Sequence, residues 1–289
     1  MAARIGFLGN CQAQTLDALS RHLGADVEFV EFSPVWLYTE QDEDRVLTQA
    51  NRCDILFCQR IAEDYGVAFL RTSRLKAVMR ERCFSWPNVY FEGYFPTIGY
   101  IYTSRGKITG PLSDYHLPII REGWQNGRPV QAIVADITSP DGPLFADDPA
   151  GASLAELESR EEGLDIKMSD FIAERFREQK LFFTPNHPRD EVLFELLRRM
   201  MRAAGLNNPS SDRLGTFPYT LDSIQIPVMS GFFQRYGGSI QESDTIRGRE
   251  ISLEPETIGE TATPRNYDWQ GLIETYFRVY DAYARLGAL

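Results

Sequence analysis

One cysteine and one histidine stand directly after short apolar runs, where strands are expected to end. Cys11 comes just after the run at 4–8, and His187 comes just after the run at 181–184. Thiolates are strong nucleophiles, and an imidazole is the base that usually activates them. The pair therefore predicts nucleophilic chemistry, with Cys11 as nucleophile and His187 as base. The alternatives are that Cys11 is a small buried side chain and that His187 caps the helix that follows it.

The turn around Cys11 carries groups that suit an oxyanion. Gly9 permits a tight turn, and free backbone N–H groups at a helix start favour negative charge, together with the amide of Asn10. The same helix start is expected to lower the pKa of the Cys11 thiol. Polar residues of this turn and of two other turns after strands are predicted to bind an oxyanion or a ligand: Gly9, Asn10, Gln12, Gln59 and Asn186.

A second histidine, His116, is the reserve candidate for the base. It follows Tyr115 in a segment predicted to be helical from Ser113, although Pro118 indicates a kink or a first-turn position. A tyrosine and a histidine beside a helix start suit substrate binding equally well. Tyr115 and His116 are therefore predicted substrate-binding residues.

A cluster of cations stands out in an acidic chain. The net charge is −11, yet the segment 71–82 holds five Lys or Arg residues and one Glu. Guanidinium groups match phosphate geometry, so the segment is a candidate dock for a phosphorylated ligand. The alternative is a solvated helix face. The predicted phosphate-binding residues are Arg60, Arg71, Arg74 and Lys76.

The elements that position these residues alternate between strand and helix. Such alternation predicts an α/β fold, a mostly parallel sheet flanked by helices in a three-layer sandwich. Ligands in that architecture bind at the carboxyl ends of the strands, where the strand order reverses. The predicted strands are 4–8, 26–32, 53–59, 88–96 and 181–184.

The C-terminal part of the chain is predicted to be irregular and partly helical. We expect a core of residues 1–205, with helical insertions, and a loop-rich extension of residues 206–289 packed on it as one structural unit. The last helix has an apolar stripe that indicates either core packing or a homodimer contact. The stripe consists of Leu272, Ile273, Tyr276, Phe277, Tyr280 and Tyr283.

Composition excludes several classes of protein. The acidic balance disfavours a nucleic-acid partner, and no apolar run is long enough to span a bilayer. The N-terminal residues lack the pattern of a secretory signal, which favours a cytoplasmic location. Four cysteines without paired spacing predict reduced thiols, with neither a disulfide scaffold nor a metal site.

Three motifs together resemble a known family. Gly9–Gln12 (GNCQ), the DYH of residues 114–116 and the NHP of residues 186–188 resemble the WcbI-type capsular polysaccharide biosynthesis proteins, from the N-terminus to about residue 205. Members of that family are regarded as acetyltransferases that bind coenzyme A. The layout is also similar to the SGNH hydrolase fold, with Cys11 in place of the serine. Thr184 replaces the Asp that SGNH enzymes carry three residues before the histidine, so the third catalytic member is unassigned.

The resemblance implies an acyltransferase that moves an acetyl group from acetyl-coenzyme A to a sugar hydroxyl in capsular or surface polysaccharide synthesis. Coenzyme A phosphates would then bind the cations named above. Two routes stay open, one through a Cys11 thioester and one in which His187 activates the sugar directly. Two other functions stay open as well, an SGNH-like esterase or thioesterase and a non-catalytic coenzyme A or nucleotide binder.

Overall fold

The chain forms two compact units in a computed structural model that describes residues 2–103, 106–218, 220–241, 245–254 and 258–289. Each unit collects separate stretches of sequence. Unit 1 consists of Met1–Tyr90, Leu154–Glu174 and Asn186–Leu221, and unit 2 consists of Phe91–Ser153, Arg175–Pro185 and Asp222–Leu289. The sequence-based boundary at residue 205 is not one of these limits and stays a prediction.

Helices and strands alternate through the first third of the described chain. The strands are β1 Ala3–Leu8, β2 Val27–Val30, β3 Ile55–Gln59, β4 Cys83–Trp86, β5 Tyr102–Thr103, β6 Gly106–Lys107, β7 Phe182–Thr184, β8 His187–Pro188, β9 Ile246–Ser252 and β10 Gly259–Tyr267. The α-helices are α1 Cys11–His22, α2 Glu43–Arg52, α3 Thr72–Met79, α4 Pro118–Gln125, α5 Val130–Thr138, α6 Pro149–Arg160, α7 Ser169–Arg175, α8 Asp190–Ala203, α9 Ser230–Tyr236 and α10 Trp269–Arg285.

A four-stranded parallel sheet forms the centre of unit 1. Its order is β2-β1-β3-β4, and β1 pairs with β3 so that Leu8 lies opposite Cys58. The chain leaves β1 for one neighbour and returns to pair on its other side, so the order reverses between β1 and β3. The predicted α/β fold with a parallel sheet is confirmed.

Opposite faces of this sheet have different cores. Leu56 and Cys58 belong to a buried cluster with apolar residues of α2 and α3. Because side chains alternate along a strand, Phe57 points to the other face, where its ring stacks on Phe7 at 5.3 Å and tilts toward Phe84 at 6.0 Å. Helices therefore cover a sheet whose central strands are buried on both faces.

Unit 2 has an aromatic core and a β-hairpin. The Tyr94 ring lies 5.0 Å from the Phe91 ring and 5.1 Å from the Phe232 ring, and all three side chains are fully buried. Strands β9 and β10 pair antiparallel, with an irregular register between Glu260 and Pro264. Helix α10 contacts α4 and α5.

The C-terminal helix buries its apolar stripe inside unit 2. Leu272, Ile273, Tyr276 and Tyr280 are all inaccessible to solvent. The core interpretation therefore accounts for these side chains, and a homodimer contact through this helix stays a prediction. None of the described helices is long and apolar enough to cross a membrane.

Three predicted elements lie elsewhere than expected. The strand predicted at 88–96 is wrong: β4 ends at Trp86, because Pro87 lacks the N–H that would continue a ladder, and 88–96 contains no strand. The helix predicted from Ser113 begins at Pro118, which occupies its first turn. Pro188 lies in β8, and the next helix begins at Asp190.

Candidate active site

Cys11 is the first residue of α1, at the carboxyl edge of the parallel sheet. The turn between β1 and α1 consists of Gly9 and Asn10 alone. Asn10 caps the helix, and its side-chain oxygen accepts the N–H of Gln12 at 2.9 Å. This turn follows β1 at the point where the strand order reverses, which is where ligands bind in open α/β sheets. The prediction that Cys11 starts a helix after the first strand is confirmed.

Gly9 permits a close approach by β3. A Cβ atom at residue 9 would lie 2.8 Å from the Cβ of Gln59 and 3.0 Å from the Cβ of Ala13, closer than side chains pack. The space left open lets the Gln59 side-chain oxygen accept the backbone N–H of Asn10 at 2.9 Å. The glycine therefore fixes the Cys11 turn to the end of β3.

Gln12 joins the Cys11 turn to two distant segments. It is fully buried, and its Nε2 donates to the carbonyls of Val89 and Asn186, both at 2.8 Å. Its Oε1 accepts the N–H of Val89 at 3.1 Å, so the carboxamide pairs with that residue as a neighbouring strand would. The residue after Cys11 is thus bonded to the residue before His187, and the two catalytic candidates lie on segments that meet.

Asn88 completes a network of amide side chains that the sequence analysis missed. Its Oδ1 accepts Nδ2 of Asn10 at 3.1 Å and lies 3.3 Å from Nε2 of Gln59, which also lies 3.4 Å from Oε1 of Gln12. Asn88 follows the true end of β4, so the rule of polar residues after strands finds it once that strand is placed correctly. In this network the amides bond to one another, and the binding role predicted for Asn10, Gln12 and Gln59 stays a prediction.

The pKa of the Cys11 thiol is higher than the sequence predicts. Burial raises its pKa, and the nearby N–H groups of Gln12 and of Cys11 itself oppose that effect without reversing it. The expected lowering of the pKa by the helix start is wrong, because loss of solvation outweighs the helix terminus. Cys11 is partly exposed, whereas Cys53, Cys58 and Cys83 are buried.

His187 lies in β8 as a neutral imidazole. Burial lowers its pKa to about 4, and a hydrogen bond to the backbone of Leu221 acts in the opposite direction. A neutral ring is the form that can accept a proton from a thiol or a hydroxyl at neutral pH. The neutral form fits the predicted base, while the lowered pKa makes the ring a weaker proton acceptor than an ordinary histidine. The role of His187 as base stays a prediction.

Tyr115 and His116 belong to unit 2, whereas Cys11 and His187 belong to unit 1. Nδ1 of His116 lies 2.9 Å from the Tyr280 hydroxyl, and its Nε2 lies 3.0 Å from the carbonyl oxygen of Ile108. Burial lowers the pKa of His116 to about 4. With both ring nitrogens engaged, His116 is suited to a neutral wall more than to proton transfer.

The hydroxyl of Thr184 donates to the Tyr115 hydroxyl at 3.1 Å within unit 2. Thr184 stands three residues before His187, where the SGNH resemblance predicts an acid. The third catalytic member stays unassigned.

The predicted phosphate-binding cations differ in their partners. Lys76 pairs with Asp165 at 2.8 Å, and the Arg71 guanidinium donates to the carbonyl of Tyr65 at 3.0 and 3.1 Å. Arg60 and Arg74 are exposed. A role in phosphate binding stays a prediction for all four. The described residues contain no group of three or more His, Cys, Asp or Glu side chains that could hold a metal ion.

Comparisons with known proteins give a similar solved structure and a matching family model. A solved structure of WcbI has a TM-score of 0.73 and 20% sequence identity, and the match covers 99% of this chain and 91% of that one. It is described as a novel polysaccharide biosynthesis enzyme, in a native form without a disulfide bond between coenzyme A and a cysteine. No curated protein matches the chain. The family model of the polysaccharide biosynthesis enzyme WcbI matches residues 4–209. The chain therefore belongs to the WcbI family of polysaccharide biosynthesis enzymes.

Proposed function

We propose that this protein is a coenzyme A-dependent acyltransferase that moves an acetyl group to a sugar hydroxyl during capsular or surface polysaccharide synthesis in the cytoplasm. The observation that carries the proposal is the bond from Gln12 to the Asn186 carbonyl, which brings the Cys11 turn and the His187 segment together. The solved WcbI structure, whose description names coenzyme A and a cysteine, supports coenzyme A as the acyl carrier.

The thioester route uses the thiol and the imidazole in turn. The Cys11 thiol has a raised pKa and is mostly protonated at neutral pH, so a base must take its proton before the sulfur attacks. His187, neutral under the same conditions, takes that proton as sulfur attacks the acetyl carbonyl. The proton then goes to the departing coenzyme A sulfur. In the second half, His187 takes the proton of the sugar hydroxyl as its oxygen attacks the thioester, and returns it to the sulfur of Cys11.

The direct route uses the same imidazole once. His187 takes the proton of the sugar hydroxyl, the oxygen attacks acetyl-coenzyme A, and the proton passes to the departing thiol. Cys11 and its turn then bind the acyl group without a covalent bond. On either route the N–H groups of Cys11 and Gln12 lie beside the sulfur, where they stabilise negative charge.

The coenzyme A phosphates are proposed to bind the cations near the end of β3 and on α3. Arg60 and Arg74 are the first candidates, because they are exposed and neither forms an ion pair with another described residue. Lys76 must exchange Asp165 for a phosphate, and Arg71 must exchange the Tyr65 carbonyl. We expect R60Q and R74Q to weaken coenzyme A binding more than K76Q.

Intact-protein mass after incubation with acetyl-coenzyme A tests the thioester route. Wild type and the control variant C53A, which lacks a buried thiol, should gain one acetyl group, and C11A should not. An adduct that persists in C11A contradicts the nucleophile assignment. Full acetyl transfer by C11A supports the direct route instead. Under both routes, H187Q should abolish transfer while leaving coenzyme A binding intact.

Thiol release with and without an acceptor sugar separates transfer from hydrolysis. A transferase should release coenzyme A slowly until an acceptor is added. Release at full rate without acceptor would identify an esterase or thioesterase. If H187Q and C11A both leave product formation in cells unchanged, the protein is a binder and the proposed activity is wrong.

A further inference from the structure

Unit 2 contains a cavity of its own, at the start of α4. Its volume is about 260 Å³, slightly below the roughly 300–1,000 Å³ typical of ligand pockets. A single monosaccharide unit is of that size, and a nucleotide is larger. The side chains that decide its chemistry are Tyr100, His116, Arg121, Glu122 and Gln125.

Among the described residues, Arg121 is the one cation that lines this cavity, and its side chain holds an unsatisfied donor. Its Nε is buried and has no hydrogen-bond partner among the residues that the structure describes. A buried donor without an acceptor is costly, and native proteins keep few of them. Arg121 also lines the cavity, so its guanidinium charge can pair with an anionic group bound there.

Two rings form a wall of the cavity. His116 has both ring nitrogens engaged, by the Tyr280 hydroxyl and the Ile108 carbonyl, so it contributes an uncharged ring face. Tyr100 stacks on Tyr115 at 5.6 Å between ring centroids and is still 42% exposed. Flat rings of this kind can pack against the C–H face of a sugar, because a tyrosine combines an apolar body with a polar tip.

Glu122 and Gln125 determine what kind of anion fits. One carboxylate and one guanidinium line the same small space. With a singly charged ligand bound, Arg121, Glu122 and the ligand carry one net negative charge, whereas a doubly charged phosphate would leave two, so the singly charged ligand is favoured. The Glu122 oxygens accept hydrogen bonds from hydroxyls, and the Gln125 amide both donates and accepts them.

We infer that this cavity binds a monosaccharide unit bearing a carboxylate, which pairs with Arg121 while its hydroxyls bond to Glu122 and Gln125. The inference goes beyond the proposed function and does not depend on it. Binding at this cavity requires neither Cys11 nor coenzyme A.

Calorimetry on the full chain with two matched glycosides tests the inference. Methyl glucuronide and methyl glucoside differ in the carboxylate alone. The glucuronide should bind at least ~10-fold more tightly, since hydrogen bonds to a charged group contribute that much. R121Q should reduce this preference to about one by weakening glucuronide binding, with glucoside binding unchanged. R285Q, which alters an exposed arginine of the same unit, should leave both affinities unchanged.

Several results would overturn the inference. Equal affinity for the two glycosides, no glucuronide binding, or a preference that survives R121Q would each do so. Displacement of the glucuronide by inorganic phosphate at lower concentration than by free glucuronate would reassign the cavity to phosphate. Should R121Q fail to fold, Q125A decides: it should weaken both glycosides equally, and unchanged affinities would remove the cavity as the binding place. Absence of acetyl transfer in the wild type, with the glycoside preference intact, would overturn the proposed function and leave this inference standing.

Discussion

The Cys11 turn in unit 1 and the Arg121 cavity in unit 2 handle their polar groups in opposite ways. Around Cys11, the side chains of Asn10, Gln12 and Gln59 hydrogen-bond to one another and to the backbone. In the cavity, the Nε of Arg121 is buried without an acceptor among the described residues. The satisfied amides stabilise the turn, whereas the buried Nε of Arg121 contributes no such stabilisation.

This contrast distinguishes polar side chains that position the backbone from those that are candidates to bind a ligand. The amides near Cys11 looked like ligand-binding groups because they follow strands, but their bonds tie three chain segments to the start of α1. In the same unit, Cys11 is partly exposed and His187 is neutral, and both stay predicted catalytic residues. Polar residues that follow strands can therefore position a turn through their hydrogen bonds.

The largest effect should come from breaking the network at Gln12. Q12A leaves the N–H and carbonyl of Val89 and the carbonyl of Asn186 without that partner, and it should lower the free energy of unfolding by roughly 3–5 kcal/mol. Urea denaturation measures it. The matched control is Q14A on the same helix, because both polar side-chain atoms of Gln14 are buried without a partner among the described residues. Equal losses in Q12A and Q14A would contradict the network's positioning role.

A smaller effect on the free energy of unfolding should follow from lowering the pH, and one histidine in each unit contributes to it. His116 and His187 each have a pKa of about 4 in the folded chain, against an ordinary value of 6.5. Between these values the unfolded chain binds a proton that the native chain excludes, so the free energy of unfolding falls as pH drops from 6.5 toward 4. The loss should be on the order of 2–3 kcal/mol per histidine and should level off below that window.

Urea denaturation of H116Q and H187Q at about pH 7 and about pH 5 measures how much each histidine contributes to the pH dependence of the free energy of unfolding. Each variant should lose part of the pH dependence of the wild type, and the two parts should add because the residues belong to separate units. A pH dependence that neither variant changes would show that the two imidazoles are not held neutral by burial.

The sequence predicted the strands and helices of unit 1 better than its long-range hydrogen bonds. Strands β1 and β3 are recognisable because central parallel strands are continuous apolar runs, and the turn at Cys11 follows from the first of them. Strand β4 was misplaced, since the apolar residues after Pro87 looked like a strand, and Asn88 was missed with it. The partners of Gln12 lie 77 and 174 residues away, and no local pattern predicts such contacts.

Unit 2 was harder to predict for a related reason. Arg121 carries no signal in the sequence, because an arginine in a helix is usually a solvated side chain. What distinguishes it is the burial of its Nε, which depends on how α4 packs. The residue type of His116 predicts a role in binding or catalysis. Only the structure shows that Tyr280 and Ile108 engage both ring nitrogens, which leaves the ring face to line the cavity.

The smallest effect on the free energy of unfolding should come from replacing Arg121. Whether that replacement raises or lowers stability is the informative result. R121M removes a buried donor that lacks an acceptor, so the free energy of unfolding should stay unchanged or rise by up to about 1 kcal/mol. R128M is the control, because it breaks the half-buried pair with Asp136 and should cost about 0.5–1 kcal/mol. Urea denaturation without any glycoside measures both variants. A loss above about 1 kcal/mol in R121M would mean that Arg121 holds unit 2 together, and the contrast with the Cys11 turn would no longer hold.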